Sequence, residues 1–199
     1  MAVYTKISKS DVLRLVENFK LKKVINFQGI KKGIENTNYL LKTKNQKYIL
    51  TIFEKRVKKK DLPFFMKLMD RLNDYNINCP KPIKNKNGKY LLTLKNKPAC
   101  IVTFVKGKDK KNLNIKDCYD IGKNIAKLHI ASNKIKIFRK NFFSANNLNF
   151  LYKNIKFKSK NVIPNLHSVL KKNLNEIKKN WPKKLPKGII HGDLFIDNI

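Results

Sequence analysis

The sequence predicts an α+β protein in which an antiparallel sheet with one inserted helix gives way to a mainly helical second half. Three patterns carry that expectation. The first 105 residues read as helix, three short strands, helix, then two or three more strands. Residues 115–132 and 165–180 change to helical spacing. An apolar run, Gly188-Ile189-Ile190, then leads into a loop of His, Asp and Asn.

Ser8-Lys9-Ser10-Asp11 reads as a helix start, Ser8 capping and Asp11 in the capping-box position. Val12, Leu13, Val16 and Phe19 fall on one face and predict a helix ending near Lys20. Val24–Phe27 and Tyr39–Leu41 read as strands around the loop Gln28–Thr37. Glycine lets backbone N–H groups approach phosphate oxygens closely and an Asn adds a donor, so Gly33 and Asn36 are candidate nucleotide contacts. Two glycines four apart fit an ordinary hairpin loop equally well until the end of the chain is considered.

Lys47–Phe53 continues as a third strand after the turn Lys44-Asn45-Gln46. A helix opens at Asp61, with Phe64, Phe65, Leu68, Met69 and Leu72 as its core stripe, and stops before Asn78-Cys79-Pro80. Asn87-Gly88 predicts a hairpin between Pro82-Ile83 and Tyr90–Leu92. Ala99–Val105 is a further strand, ended by Lys106-Gly107-Lys108. The helix over 115–132 carries Ile121, Ile125, Leu128 and His129, the histidine expected to be packed and hydrogen-bonded rather than a ligand. Residues 133–164 show little periodicity, and a helix over 165–180 follows.

Composition narrows the class. A chain of 199 residues with 42% hydrophobic content can bury one good core or two small lobes. No early stretch has signal-peptide character and the longest apolar run, 99–105, is far too short to span a bilayer, so a cytoplasmic location is expected. Cys79, Cys100 and Cys118 are odd in number, and His129, His167 and His191 are scattered, which supports neither a disulfide framework nor a zinc site; the cysteines are expected to be buried and reduced. The formal net charge is +33. Of 46 basic side chains only four are arginines, Arg14, Arg56, Arg71 and Arg139, and the lysines run along the whole chain. Nucleic-acid sites favour the arginine fork and interleaved aromatics. The charge therefore reads as a solvated surface with an attraction for anions such as ATP, and a basic nucleic-acid-binding module is the rival reading from another class.

The chemistry concentrates in His191-Gly192-Asp193-Leu194-Phe195-Ile196-Asp197-Asn198. An aspartate that accepts a hydroxyl proton must sit beside a metal-bound phosphate, and an Asn offers the metal an oxygen without a second charge. Asp193 is the candidate base, Asn198 the candidate Mg²⁺ ligand, His191 a hydrogen-bonding support of the loop, and Asp197 a solvated turn residue. The bland alternative is an Asx-rich surface turn.

The pattern H-x-D-x-x-x-x-N resembles the catalytic loop of the aminoglycoside phosphotransferase and choline kinase superfamily, and Ala126-Lys127-Leu128-His129 resembles its L-A-x-L-H signature. That resemblance implies a protein-kinase-like two-lobed fold, with an amino-terminal lobe over 1–105 and the start of an incomplete, mainly helical second lobe over 106–199. ATP would bind between the lobes, with Thr103, Phe104 and Val105 as hinge contacts to adenine.

Several stretches are further similar to the homoserine kinase branch of the superfamily. They are Met1-Ala2-Val3-Tyr4-Thr5, Gly33–Tyr39, Ile49–Val57 with its Glu54-Lys55-Arg56-Val57, Asp61–Phe65, Ile101–Phe104 and Trp181 through Phe195. The branch implies phosphorylation of L-homoserine, with ATP and Mg²⁺, and Arg139 and Asn141 as contacts to the amino acid. A choline, ethanolamine or other small-alcohol kinase is the nearest alternative, and an inactive nucleotide-binding relative a third.

Two departures accompany the resemblance. Thr51 stands where a phosphate-binding lysine is usual and Phe65 near the place of its glutamate partner, leaving Lys55 or Arg56 as substitutes. No second metal-binding Asp follows the loop, so a fragment with weak or no catalysis of its own, and with exposed apolar surface, is expected.

Overall fold

The structure, a computed structural model, describes residues 3–55, 57–107, 110–159 and 161–198. Its elements are α1 (Lys9–Asn18), β1 (Val24–Gly29), β2 (Thr37–Thr43), β3 (Lys47–Ile52), α2 (Leu62–Asp74), β4 (Leu91–Leu94), β5 (Lys97–Thr103), α3 (Ile115–Asn133), α4 (Ala145–Ser159) and α5 (Leu166–Asn180). The strands form one antiparallel sheet in the order β1-β2-β3-β5-β4. The described residues fall into two compact units, one running through Ile137 and resuming at Gly188, the other Phe138–Lys187.

Helix α1 starts where the sequence places it. Ser8 is extended and accepts from the Asp11 amide, while the Asp11 carboxylate accepts from the Ser8 amide, satisfying two donors that a helix start leaves open. Its buried face is Asp11, Val12 and Leu15, continued by Phe19, whereas Leu13 points to solvent. A 100° step from Val12 carries Leu13 off the face that Leu15 and Phe19 share.

Strand β2 alternates buried and half-buried residues along its length, which gives the sheet two unlike faces. Tyr39 and Leu41 join Leu15, Phe19, Tyr48, Leu50 and Ile52 in the core under α1. On the reverse face Cys100 and Val102 pack with Phe53 and with Leu62 and Met66 of α2. The fully buried members of α2 are Leu62, Met66 and Leu72; Phe64, Phe65, Leu68 and Met69 are half-buried.

The tight hairpin is not at Asn87-Gly88. That pair makes a turn in which the Gly88 amide donates to the Asn85 carbonyl, but Pro82 bridges to Val102 rather than to the Tyr90 stretch. The strand-joining turn is Lys95-Asn96 between β4 and β5, with φ of +49° and +59°. A two-residue turn with both φ positive matches the twist of the flanking strands. Lys95 Nζ also lies 3.2 Å from the buried Asp11 carboxylate, tying this turn to α1.

Helix α3 opens with a second capping box, Asn114 with Asp117. Its last turn joins the end of α2 through Leu72, Ala131 and Ile135, with Leu68 and Leu128 packed alongside. His129, expected to be packed, is exposed, because the buried side of this last turn belongs to Leu128, Ala131 and Ser132. The exposed apolar surface foreseen in the sequence is present: Ile115, Tyr119 and Ile130 on α3 are all largely accessible. Helix α4 lies in the stretch that shows little periodicity; it packs with α5, where the Tyr152 and His167 rings stack at 5.6 Å.

All three cysteines are free. Cys100 is buried, and burial pushes its thiol up to about 12, whereas Cys79 is half-buried and Cys118 is exposed, so burial holds for one of the three. No helix of the described residues is long and apolar enough to cross a membrane.

Candidate active site

The end of α3 carries the stretch that leads to the loop. Ser132 is buried, and its hydroxyl lies 3.3 Å from the Ile189 carbonyl while bonding back to His129 O. A Cβ on Gly188 would stand 3.2 Å from Asn133 Oδ1, so a glycine lets the chain pass close to this helix end. Residues 188–190 are not a strand, contrary to the sequence expectation, because no described strand runs beside them to supply a ladder.

Gly192 has φ +76°, a conformation that L side chains rarely adopt, and it turns the chain immediately before Asp193. A single turn of 3-10 helix, Ile196–Asn198, then brings residue 198 back: the Asn198 amide donates to Phe195 O at 2.9 Å. The Asn198 carboxamide donates through Nδ2 to Asp193 Oδ2 at 2.9 Å and to the Asp193 carbonyl at 3.0 Å. The two polar residues singled out in the sequence are thus clasped side by side. One hydrogen bond fixes the carboxylate, and the bond through Nδ2 leaves Asn198 Oδ1 as a separate oxygen donor. His191 is exposed, and its ring makes no hydrogen bond among the described residues.

The candidate nucleotide contacts lie at two places in the sheet. Gly33 is exposed with φ +100°, and nothing comes within 4 Å of where its Cβ would be. Asn36 Oδ1 accepts from the Glu54 amide at 3.3 Å, which fixes the end of the loop against the end of β3. A cavity of about 460 Å³ opens beside this loop, lined by Gln28, Gly29, Ile30, Lys31, Lys32 and Leu40.

At the other place, the Thr103 amide donates to Lys81 O and the Phe104 amide to Lys47 O, with Lys47 Nζ 5.6 Å from the Phe104 ring centre. Two of the three implied hinge amides are therefore engaged within the protein, and Val105 is the one whose amide has no partner among the described residues.

Thr51, at the position where a lysine is usual, donates to Asn38 Oδ1 at 2.8 Å. Lys55 is exposed, Arg56 lies outside the described residues, and Phe65 packs edge-on to Phe64 in the core under α2. Arg139 and Asn141 belong to the second compact unit. There the Arg139 guanidinium stands 5.7 Å from the Phe142 ring centre, and Asn141 Oδ1 accepts from the Phe143 amide at 2.8 Å.

Sequence reasoning missed a polar cluster around Glu54. Its Oε1 accepts from the hydroxyls of Thr5 and Thr37, each at 2.7 Å, and its Oε2 is paired with Lys97 Nζ. Burial alone would raise the Glu54 carboxyl, but the bonds from Lys97, Thr5 and Thr37 and the Lys97 charge carry it below the usual value. The signals in the sequence are the similar stretches Met1–Thr5, Gly33–Tyr39 and Ile49–Val57, which contain Thr5, Thr37 and Glu54 but give them no role.

Among the described residues no three His, Cys, Asp or Glu side chains gather into a metal cluster. What Asn198 offers beside the Asp193 carboxylate is a hard oxygen donor, Oδ1, of the type that suits Mg²⁺, an ion that habitually completes its shell with water and phosphate. The donor set fits the ion.

Residues 26–199 match the phosphotransferase enzyme family, and the chain belongs to that family. It is 39% identical over 199 residues to a homoserine kinase of Methylocella silvestris and 37% identical to one of Nitrobacter winogradskyi. These matches take in the whole of this chain but 62% and 61% of those proteins, so the chain spans about three fifths of the curated relatives' length. The fold is that of spectinomycin phosphotransferase. Its complex with ADP and spectinomycin superposes with a TM-score of 0.64 at 15% identity, covering 98% of this chain and 65% of that one, and its AMP-bound complex superposes at 0.59.

Proposed function

We propose that this chain carries the nucleotide lobe and catalytic loop of an ATP-dependent kinase that phosphorylates the hydroxyl of L-homoserine. The observation that carries the reading is the clasp of Asp193 by Asn198 on the turn at Gly192. The choice of homoserine rests on the names of relatives 36–39% identical over the whole chain. The lobe division at Val105–Lys106 belongs to the same proposal.

In this reading the Asp193 carboxylate accepts the homoserine hydroxyl proton as the oxygen attacks the γ-phosphorus, the bond from phosphorus to the β-bridging oxygen breaks, and ADP leaves. Asn198 holds the carboxylate in place through Nδ2, so the base is oriented before substrate arrives. Mg²⁺, held by Asn198 Oδ1 with phosphate oxygens, would supply charge neutralisation. Gly33 and Asn36 shape the phosphate loop, Val105 offers a backbone donor to adenine beside Thr103 and Phe104, and Arg139 and Asn141 recognise the amino acid.

The test is an acceptor panel run on the protein expressed from its complete reading frame. ADP release that requires L-homoserine supports the reading; release with choline or ethanolamine and none with homoserine overturns the choice of substrate.

A further inference from the structure

The residues before α1 are fastened to the glycine loop at several points. Val3 lies against Gly29, where an added Cβ would stand 2.8 Å from Val3 Cγ2. The Tyr4 hydroxyl donates to Ile34 O, inside the loop, at 3.0 Å. The Tyr4 and Thr5 amides both donate to Thr37 Oγ1, at 2.9 and 3.0 Å. Thr37 Oγ1 in turn donates to Glu54 Oε1, and Glu54's own amide donates to Asn36 Oδ1. Lys97 Nζ closes the circuit by donating to Thr5 Oγ1 at 2.7 Å and pairing with Glu54. Thr5 and Thr37 are buried and Glu54 nearly so.

The circuit is unlike an ordinary core contact. Thr37 Oγ1 takes two backbone donors and gives one proton, which uses the whole capacity of a hydroxyl. The circuit's members lie in residues 3–5, in the loop or at its two ends, apart from Glu54 just after β3 and Lys97 in β5, which supplies the neutralising charge. Gly33 has φ +100° with nothing within 4 Å of where its Cβ would stand, so the bonds at the loop's edges bear directly on its conformation.

We propose that Val3–Thr5 form a strap that fixes the 30–36 loop, with Tyr4 and Thr37 as positioning residues, so that the strap sets how tightly the loop holds an anionic nucleotide. This rests on the reading of that loop as the nucleotide loop. Tyr4 pins the loop from outside through a single hydrogen bond, while Thr37 relays the hold of Glu54 to the strap.

The experiment is amide hydrogen exchange on the wild-type chain and on Tyr4→Phe, Thr37→Val and Thr37→Ser, with ATP affinity measured on the same samples. Tyr4 is more than half exposed, so its loss of one hydroxyl leaves the core intact. Exchange of residues 30–36 should rise about 3- to 10-fold in Tyr4→Phe and further in Thr37→Val, while β3 and β5 stay unchanged and Thr37→Ser restores wild-type rates. The ATP dissociation constant should rise in the same order. The strap is overturned if loop exchange is unchanged in both variants, if it accelerates equally across β3 and β5, or if affinity stays constant while the loop loosens. A wild-type chain that binds no nucleotide would sink the proposed function instead, and the exchange rates would still decide whether the strap holds the loop.

Discussion

The sheet scaffolds the proposed nucleotide loop, and Leu50→Ala tests that scaffold at its centre. Leu50 has no accessible surface, pairs with Tyr39 on β2 and with Ile101 on β5, and packs in the cluster that holds Leu15, Leu41 and Ile52. Truncation removes its branched end from a site walled on both sides by neighbouring strands and above by α1, so little can move in to fill the space. Substitutions of this kind cost about 3–5 kcal/mol, the transfer of the lost atoms plus the cavity left behind. For a chain of this size each kcal/mol lowers Tm by about 2–4 °C, so a fall of at least about 6 °C is expected. Urea titration followed by far-UV circular dichroism reads the change in midpoint at constant slope. Leu13→Ala is the control, since Leu13 is 62% exposed on α1 and its loss should stay within about 0.5 kcal/mol. A Leu50→Ala cost below about 1.5 kcal/mol, or one matched by Leu13→Ala, would refute this packing.

Two further outcomes follow from particular groups. Bonds from the Ser8 amide and hydroxyl, with Lys95 and Arg14 beside it, hold the Asp11 carboxyl far below its ordinary value against the cost of burial. A lowered folded-state pKa contributes stability that is present above the ordinary value of about 3.9 and lost as pH falls below it, so Asp11→Asn should flatten the acid limb of a stability-versus-pH curve; an unchanged limb contradicts the assignment. Asn198→Ala should raise the Mn²⁺ concentration needed for metal-dependent nucleotide binding by about tenfold or more, read by paramagnetic titration; no change would remove Asn198 from the metal site.

What the sequence disclosed depended on how local each device is. Ser8 with Asp11, and Asp193 with Asn198, are legible because the partners lie three and five residues apart and their side-chain types are demanded by cap or site chemistry. The Lys95-Asn96 turn was hidden because lysine carries no preference for positive φ, and the more conspicuous Asn87-Gly88 drew the hairpin instead. Helix α4 was hidden because its apolar residues do not gather on one face, and packing with α5 accompanies it where periodicity is absent. The Glu54 cluster was hidden for the opposite reason from the loop: its partners Thr37, Lys97 and Thr5 are 17, 43 and 49 residues away, and only folding assembles them.

The central claim is that Asp193 receives the proton of an alcohol during phosphoryl transfer. It is tested most directly by single-turnover phosphorylation of L-homoserine by the complete protein and its Asp193→Asn variant. Transfer should fall by about 10²- to 10⁴-fold in the variant, with ATP affinity unchanged, because the carboxamide keeps the shape of the clasp and loses the base. Homoserine phosphorylation at the wild-type rate in Asp193→Asn would contradict the account.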